Sequence, residues 1–276
     1  MAAATRDLTS ALEREWYHTL ELAPGVITPG WFDTREALAR LPFPASLEGK
    51  RCLDVATFDG FWAFEMERRG ATETIAIDLL DVRQADWPVN SSPEVMETIG
   101  RRKEAGEGFD IARSALGSAV ERIEMNVYDL DPGVVGEFDF VYVGSLLIHL
   151  RDPVRALERV RSVCRGSLLV VDNVDLGLTL RHPRRPVAAL DGVGRPWWWN
   201  LNLAGLVRIV EVAGFRVTAP PSRLWMPPGR GQRRPRPSRQ LVRNLLRSED
   251  ARERLLGTLK GDLHGAILAE PVHHHA

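Results

Sequence analysis

Residues 51–60 read RCLDVATFDG, an apolar run that closes on small residues and a glycine. The run at 51–56 has no polar alternation, which marks a strand buried on both faces. Residues 61–71, FWAFEMERRGA, then set Phe61, Ala63 and Phe64 beside Glu65, Glu67, Arg68 and Arg69, a helix stopped at Gly70. TETIAIDLL (72–80) is the next buried strand. This strand–helix–strand order repeats down the chain. A helix is expected at 109–123 and a third strand at 123–130. A fourth strand begins at 139–150, Asp152-Pro153 opens another helix, and 167–174 is a fifth strand. An amphipathic helix at 201–215 closes on Gly214, a sixth strand follows at 215–220, and 264–271 is the last. Segments 81–104 and 175–200 read as irregular, 220–240 as a Pro/Arg-rich loop and 241–257 as helical. The expected fold is α/β, a doubly wound, mostly parallel seven-stranded sheet.

The 276 residues hold 36 Lys and Arg against 37 Asp and Glu, a formal charge of −1. A hydrophobic content of 44% with 26% charged residues is that of a folded globular protein and excludes wholesale disorder. No apolar run approaches the roughly 18 residues of a membrane helix, and the first residues lack the apolar core of a secretory signal. Cys52 and Cys164 are too few for a disulfide framework and wrongly spaced for zinc. A cytoplasmic protein is expected, with no metal and no membrane partner. The near-neutral charge hides an asymmetry. Residues 222–248 carry Arg223, Arg230, Arg233, Arg234, Arg236, Arg239, Arg243 and Arg247 with no acid and no lysine. That segment is +8, and the remainder is −9. It reads either as a solvated loop paired with the acidic body or as an anion-binding arm for phosphate or RNA.

Open parallel sheets bind ligands outside the carboxyl ends of their strands. The first such edge is the turn after 51–56, where Gly60 permits close backbone approach. Asp78 follows the second strand, 24 residues past Asp54, the kind of spacing at which a carboxylate accepts ribose hydroxyls. A helix-capping acid is the alternative.

With Asp54 and Gly60 at the first turn, Asp78 after strand two, Tyr128-Asp129-Leu130 after strand three and Gly144-Ser145 after strand four, the chain resembles the class I S-adenosylmethionine-dependent methyltransferases. The likeness spans 48–219 and 263–271. Two glycine positions of that family's first turn hold Ala56 and Phe58 here. Trp16-Tyr17-His18, VITPGWFD at 26–33, Tyr128-Asp129-Leu130 and HLRDP at 149–153 look like the branch related to tRNA wobble-uridine methyltransferases. The resemblance implies a last strand inserted antiparallel to the others, S-adenosyl-L-methionine as cofactor, an N-terminal cap (1–47) on a methyltransferase domain (48–276), and insertions at 175–200 and 220–262. It implies that Asp54, Ala56, Thr57, Phe58, Gly60, Asp78 and Leu79 bind the cofactor, the carbonyls and amides around 56–60 at its methionine part and Asp78 at its ribose. Asp129 would accept from the adenine amine, Tyr128 or Leu130 would pack on its ring, and Gly144 and Ser145 would line the sulfonium side.

An acceptor must often lose a proton during methyl transfer. His149, ending the fourth-strand segment, and Asp172, ending the fifth, are the candidate bases; a structural histidine and a loop-capping acid are the alternatives. The acceptor walls are expected from Tyr17, His18, Trp31 and Phe32 and from Trp197, Trp198, Trp199 and Asn200, unless the tryptophans form a small second core. The function expected is methylation of a small acceptor with an aromatic or apolar body. Modification of RNA through the arginine arm is the alternative, and ligand binding without turnover is a third reading.

Overall fold

The computed structural model describes residues 11–232 and 260–272. At its centre lies an eight-stranded mixed sheet: β1 (Arg51–Val55), β2 (Glu73–Asp78), β3 (Glu121–Glu124), β4 (Phe138–Gly144), β5 (Cys164–Asn173), β6 (Phe215–Val217), β7 (Ser222–Met226) and β8 (Asp262–Pro271). β1 pairs in parallel with β2 and β4, β2 with β3, and β4 with β5. β8 runs antiparallel to β5, and its far edge takes β6 and β7 in tandem. The spatial order is β3-β2-β1-β4-β5-β8-β6. The main helices are α1 (Phe61–Arg68), α2 (Pro93–Lys103), α3 (Glu107–Leu116), α4 (Pro153–Val163) and α5 (Leu203–Val212).

The continuous apolar strands have a simple cause: successive side chains feed two different cores. Leu53 and Val55, Val141 and Val143, and Leu168 and Val170 pack under α4 and α5. Cys52, Phe140, Tyr142, Leu169 and Val171 point the other way, against α1, α3 and the N-terminal residues Trp16, Phe32 and Phe43. Neither face meets water, so no polar alternation survives in the sequence.

Four expectations change. Segment 81–104 contains α2, because Ser92-Pro93 starts a helix rather than breaking one: proline at the first helical position gives up only an N–H that has no partner there. The expected loop at 220–240 contains β7, whose Leu224 and Met226 are buried while Arg223 is exposed. β7 covers an edge of the ten-residue β8 that β6 leaves open, adding an eighth strand beside the expected seven-strand path. The third strand ends at Glu124, so Tyr128 and Asp129 sit on a 3-10 turn beyond it. Segment 175–200 holds a short helix, Leu176–Arg181, and the start of an antiparallel pair, Ala188–Leu190 with Trp199–Leu201. The expected helix at 241–257 and the arginines from Arg233 to Arg247 lie outside the described residues.

The β1–α1 turn is closely packed. Gly60 caps α1 at φ +87, and a Cβ there would lie 2.4 Å from the Phe64 ring and 2.8 Å from Phe109. Gly60→Ala is therefore expected to lose about 2–4 kcal/mol, from left-handed strain plus overpacking, read as a lower thermal midpoint. An unchanged midpoint contradicts this packing.

Candidate active site

One cleft opens at the carboxyl ends of β1, β2 and β4. Its open space, the solvent-facing mouth included, is about 1090 Å³. Its floor is the β1–α1 turn. Ala56 and Phe58 line it and, with Gly60, adopt positive φ (61°, 54° and 87°). The glycine-type backbone path is thus kept where two of the three residues carry side chains, a strain of about 1–3 kcal/mol each that the surroundings hold in place.

Asp78 stands at the tip of β2 and lines the cleft, 5% exposed. Its Oδ2 accepts from the Phe58 amide at 2.9 Å and its Oδ1 from the Leu79 amide at 2.8 Å. Lys103, at the end of α2, adds an ion pair at 2.5 Å. The opposite wall is apolar: Ile77, Leu79, Val82, Met125 and Tyr128, with Asn126 among them. The Tyr128 hydroxyl donates to Asp86, and burial pushes that phenol up to about 12.

At the end of β4, Gly144 and Ser145 line the cleft beside Tyr17 and His149. His149 Nδ1 lies 2.7 Å from the Pro196 carbonyl. A carbonyl only accepts, so Nδ1 carries the proton and Nε2 of the neutral ring is bare. Desolvation holds His149 below the usual histidine value. A second polar pair lies beside Tyr17: Ser145 Oγ is 3.0 Å from His264 Nε2. His264 Nδ1 donates to the Asp262 carbonyl, so Nε2 accepts from the serine when the ring is neutral. Burial keeps the Tyr17 phenol above its ordinary value and therefore protonated.

Of the expected cofactor residues, Ala56, Phe58, Asp78, Leu79, Tyr128, Gly144 and Ser145 line this cleft, whereas Asp54, Thr57, Gly60, Asp129 and Leu130 do not. Asp54 is turned into the protein, accepting from Thr57 Oγ1 at 2.6 Å and the Ala63 amide at 3.2 Å. Burial pushes its carboxyl up to about 7. Gly60 is the helix cap described above. Asp129 is exposed and Leu130 lies in the core, because β3 ends early; Asn126 occupies the wall instead.

The acceptor residues divide similarly. Tyr17 lines the cleft, its ring stacked on Phe58 at 4.5 Å. His18, Trp31, Phe32, Trp197, Trp198, Trp199 and Asn200 do not line it. His18 and Phe32 are buried beside it, and Trp31 packs under Arg102. The tryptophan run braces the His149 turn from behind. The Trp198 amide donates to the Ile148 carbonyl and Trp199 Nε1 to the Leu150 carbonyl, next to Pro196, which fixes His149. Asn200 donates to Asp191. Asp172 also lies behind the site: its Oδ2 accepts from the Leu146 and Leu147 amides at 2.8 and 2.7 Å, and its Oδ1 from Asn173. It fixes the turn carrying Ser145, the loop-capping alternative.

Several cleft residues escaped the sequence reading. Trp87, Arg102 and Lys103 come from the segment taken as irregular, and Asn126 precedes the motif. Asp59 acts indirectly. It accepts from the Tyr17 and His18 amides at 2.6 and 2.9 Å and so pins the N-terminal segment over the cleft. Among the described residues no cluster of His, Cys, Asp or Glu could hold a metal, and no helix is long and apolar enough to cross a membrane.

The chain matches no family model and no curated protein. Solved structures do match in fold. A chain from the complex of the Haloferax volcanii Trm112 methyltransferase activator with its candidate methyltransferase is 16% identical, with 89% of this chain and 91% of that chain covered at a TM-score of 0.51. A SAM-dependent methyltransferase from Aquifex aeolicus is 15% identical, with coverage of 87% and 90% and a TM-score of 0.46. The Burkholderia thailandensis 1,6-didemethyltoxoflavin-N1-methyltransferase is 15% identical, with coverage of 99% and 89% and a TM-score of 0.48. The architecture is the Rossmann-like fold of the class I methyltransferases. At these identities the likeness is one of fold.

Ser145→Ala leaves the buried His264 Nε2 without its partner. A loss of about 1–3 kcal/mol in a denaturant melt is expected; no loss contradicts this buried contact.

Proposed function

We propose that the protein transfers a methyl group from S-adenosyl-L-methionine to a small acceptor with an aromatic or apolar body. The observation that carries this reading is the cleft at the β1, β2 and β4 ends with a buried carboxylate, Asp78, at its centre. The wall residues fit such a cofactor. Asp78 would take the ribose, Leu79, Val82, Met125 and Tyr128 offer flat apolar surface to a base, and Asn126 offers an amide. The backbone of 56–58 would hold the amino-acid end. When bound, the cofactor supplies a methyl carbon already activated by its sulfonium, so the protein's work is orientation and exclusion of water.

His149 suits the role of base. Its tautomer is fixed by Pro196, its Nε2 is bare, and its depressed pKa keeps it neutral at physiological pH. Tyr17, in the cleft lining, would offer the acceptor a protonated hydroxyl. Asp172 serves this reading by positioning the Ser145 turn, not as a base. The largely apolar lining, Trp87 included, favours a small acceptor over RNA. An N-terminal cap over the cleft and a kinship with the wobble-uridine branch, resting on the sequence resemblance alone, are part of the same proposal.

Calorimetry with S-adenosylhomocysteine tests the binding half. Wild type is expected to bind, and Asp78→Ala to bind at least about tenfold more weakly, the equivalent of one charge-assisted hydrogen bond. Equal affinity removes Asp78 from the site. For the chemical half, labelled S-adenosylmethionine with a panel of phenols, aromatic acids and N-heterocycles identifies an acceptor. With that acceptor, His149→Ala is expected to lower turnover about 10²–10⁴-fold while homocysteine-adduct affinity stays constant. The sign of the pH dependence follows from the lowered pKa: the rate rises with pH below the ordinary histidine value of about 6.5 and is flat above it. A limb extending above that value excludes His149 as the base.

A further inference from the structure

We propose that Arg102 and Lys103 form an anion subsite in the cleft wall that receives the carboxylate of a bound small molecule. The inference rests on the methyl-transfer reading for which cavity is used, and its chemistry comes from how the charges there are paired.

Four charged side chains line the cleft: Asp78, Asp86, Arg102 and Lys103. Asp86 is matched by Arg151, whose amide donates at 2.7 Å and whose guanidinium lies at 3.3 Å, and by the Tyr128 hydroxyl. Asp78 is matched by Lys103 and two backbone amides. Arg102 differs. Its side chain is 13% exposed, yet its carboxylate partner is Glu15, 3.3 Å from Nε, 46% exposed and shared with Arg101. Its guanidinium lies 3.8 Å from the centre of the Trp31 ring. Desolvation lowers its pKa by more than Glu15 and Tyr17 restore. A guanidinium does not deprotonate in a protein, so a sequestered one with weak compensation favours an incoming anion. Its planar fork suits a carboxylate, and the ring beneath holds it in place.

Lys103 is the second cation. Its ammonium lies 5.3 Å from the Phe58 ring, which stacks on Tyr17. If ribose hydroxyls take Asp78, this ammonium loses its partner within the cleft and turns to the same anion. Two carboxylates could answer: that on the amino-acid end of the cofactor, or one on the acceptor.

Paired titrations separate them. S-adenosylhomocysteine is compared with 5′-methylthioadenosine, which keeps the nucleoside and sulfur but lacks the amino-acid carboxylate. Benzoate is compared with neutral benzamide on the homocysteine-adduct-loaded protein. Each pair is run on wild type, Arg102→Gln, Arg102→Lys and Arg101→Gln. Wild type is expected to prefer the anionic member of at least one pair tenfold or more. Arg102→Gln should abolish that preference, Arg102→Lys should restore part of it, and Arg101→Gln should leave it intact. Loss in the first pair assigns the cofactor's carboxylate; loss in the second assigns the acceptor's. A wild type without either preference, or an Arg102→Gln protein that keeps both, overturns the proposal. If neither nucleoside binds wild type, the methyl-transfer reading falls instead, and benzoate against benzamide on the free protein decides the subsite alone.

Discussion

The Asp78 carboxylate holds the upper edge of the sheet together. It sits at the tip of β2, receives the Phe58 amide from the turn after β1, and pairs with Lys103 at the end of α2. Three segments far apart in sequence are thereby fixed around one buried charge. Removing one partner of such a pair strands the other in a poorly hydrated site, at a cost of about 3–5 kcal/mol. The same geometry gives the cleft its polarity: a buried carboxylate paired with Lys103, with Asp86 and Arg102 also in the lining.

The turn beneath that carboxylate shows how a backbone path can outlast the residues best suited to it. Ala56 and Phe58 take left-handed conformations that glycine would adopt without strain. Phe58 is kept there by the hydrogen bond its amide N–H donates to Asp78 and by its stack on Tyr17, and Tyr17 is kept by Asp59, which accepts from its amide N–H. The bulky ring narrows the cleft floor and joins the N-terminal segment to the site. A glycine at 58 would give a freer turn but would lose the platform on which Tyr17 rests.

What the sequence revealed follows physical lines. β1, β4, β5 and α4 were legible because strands buried on both faces leave unbroken apolar runs and because Asp152-Pro153 is a strong helix start. Asp78 was legible from its spacing alone. α2 was not: it buries no residue, so it shows no apolar stripe, and its proline was read as a breaker. The cations Arg102 and Lys103 were lost with it. Asp129 was misplaced because β3 stops four residues before the motif, which turns the wall position over to Asn126. The three tryptophans were assigned to the acceptor by size and aromaticity, but their indole and amide groups bond to the backbone of the His149 turn. Composition cannot distinguish lining a site from bracing it.

The behaviour of the Asp78–Lys103 pair on ligand binding reaches the centre of this account. A crystal structure with S-adenosylhomocysteine measures it directly. The account predicts ribose hydroxyls on the Asp78 carboxylate, the base against Leu79, Val82 and Met125, and the Lys103 ammonium displaced from its present partner. A ligand seated elsewhere, with the lysine still on Asp78 and the cleft closed by Phe58, would contradict it.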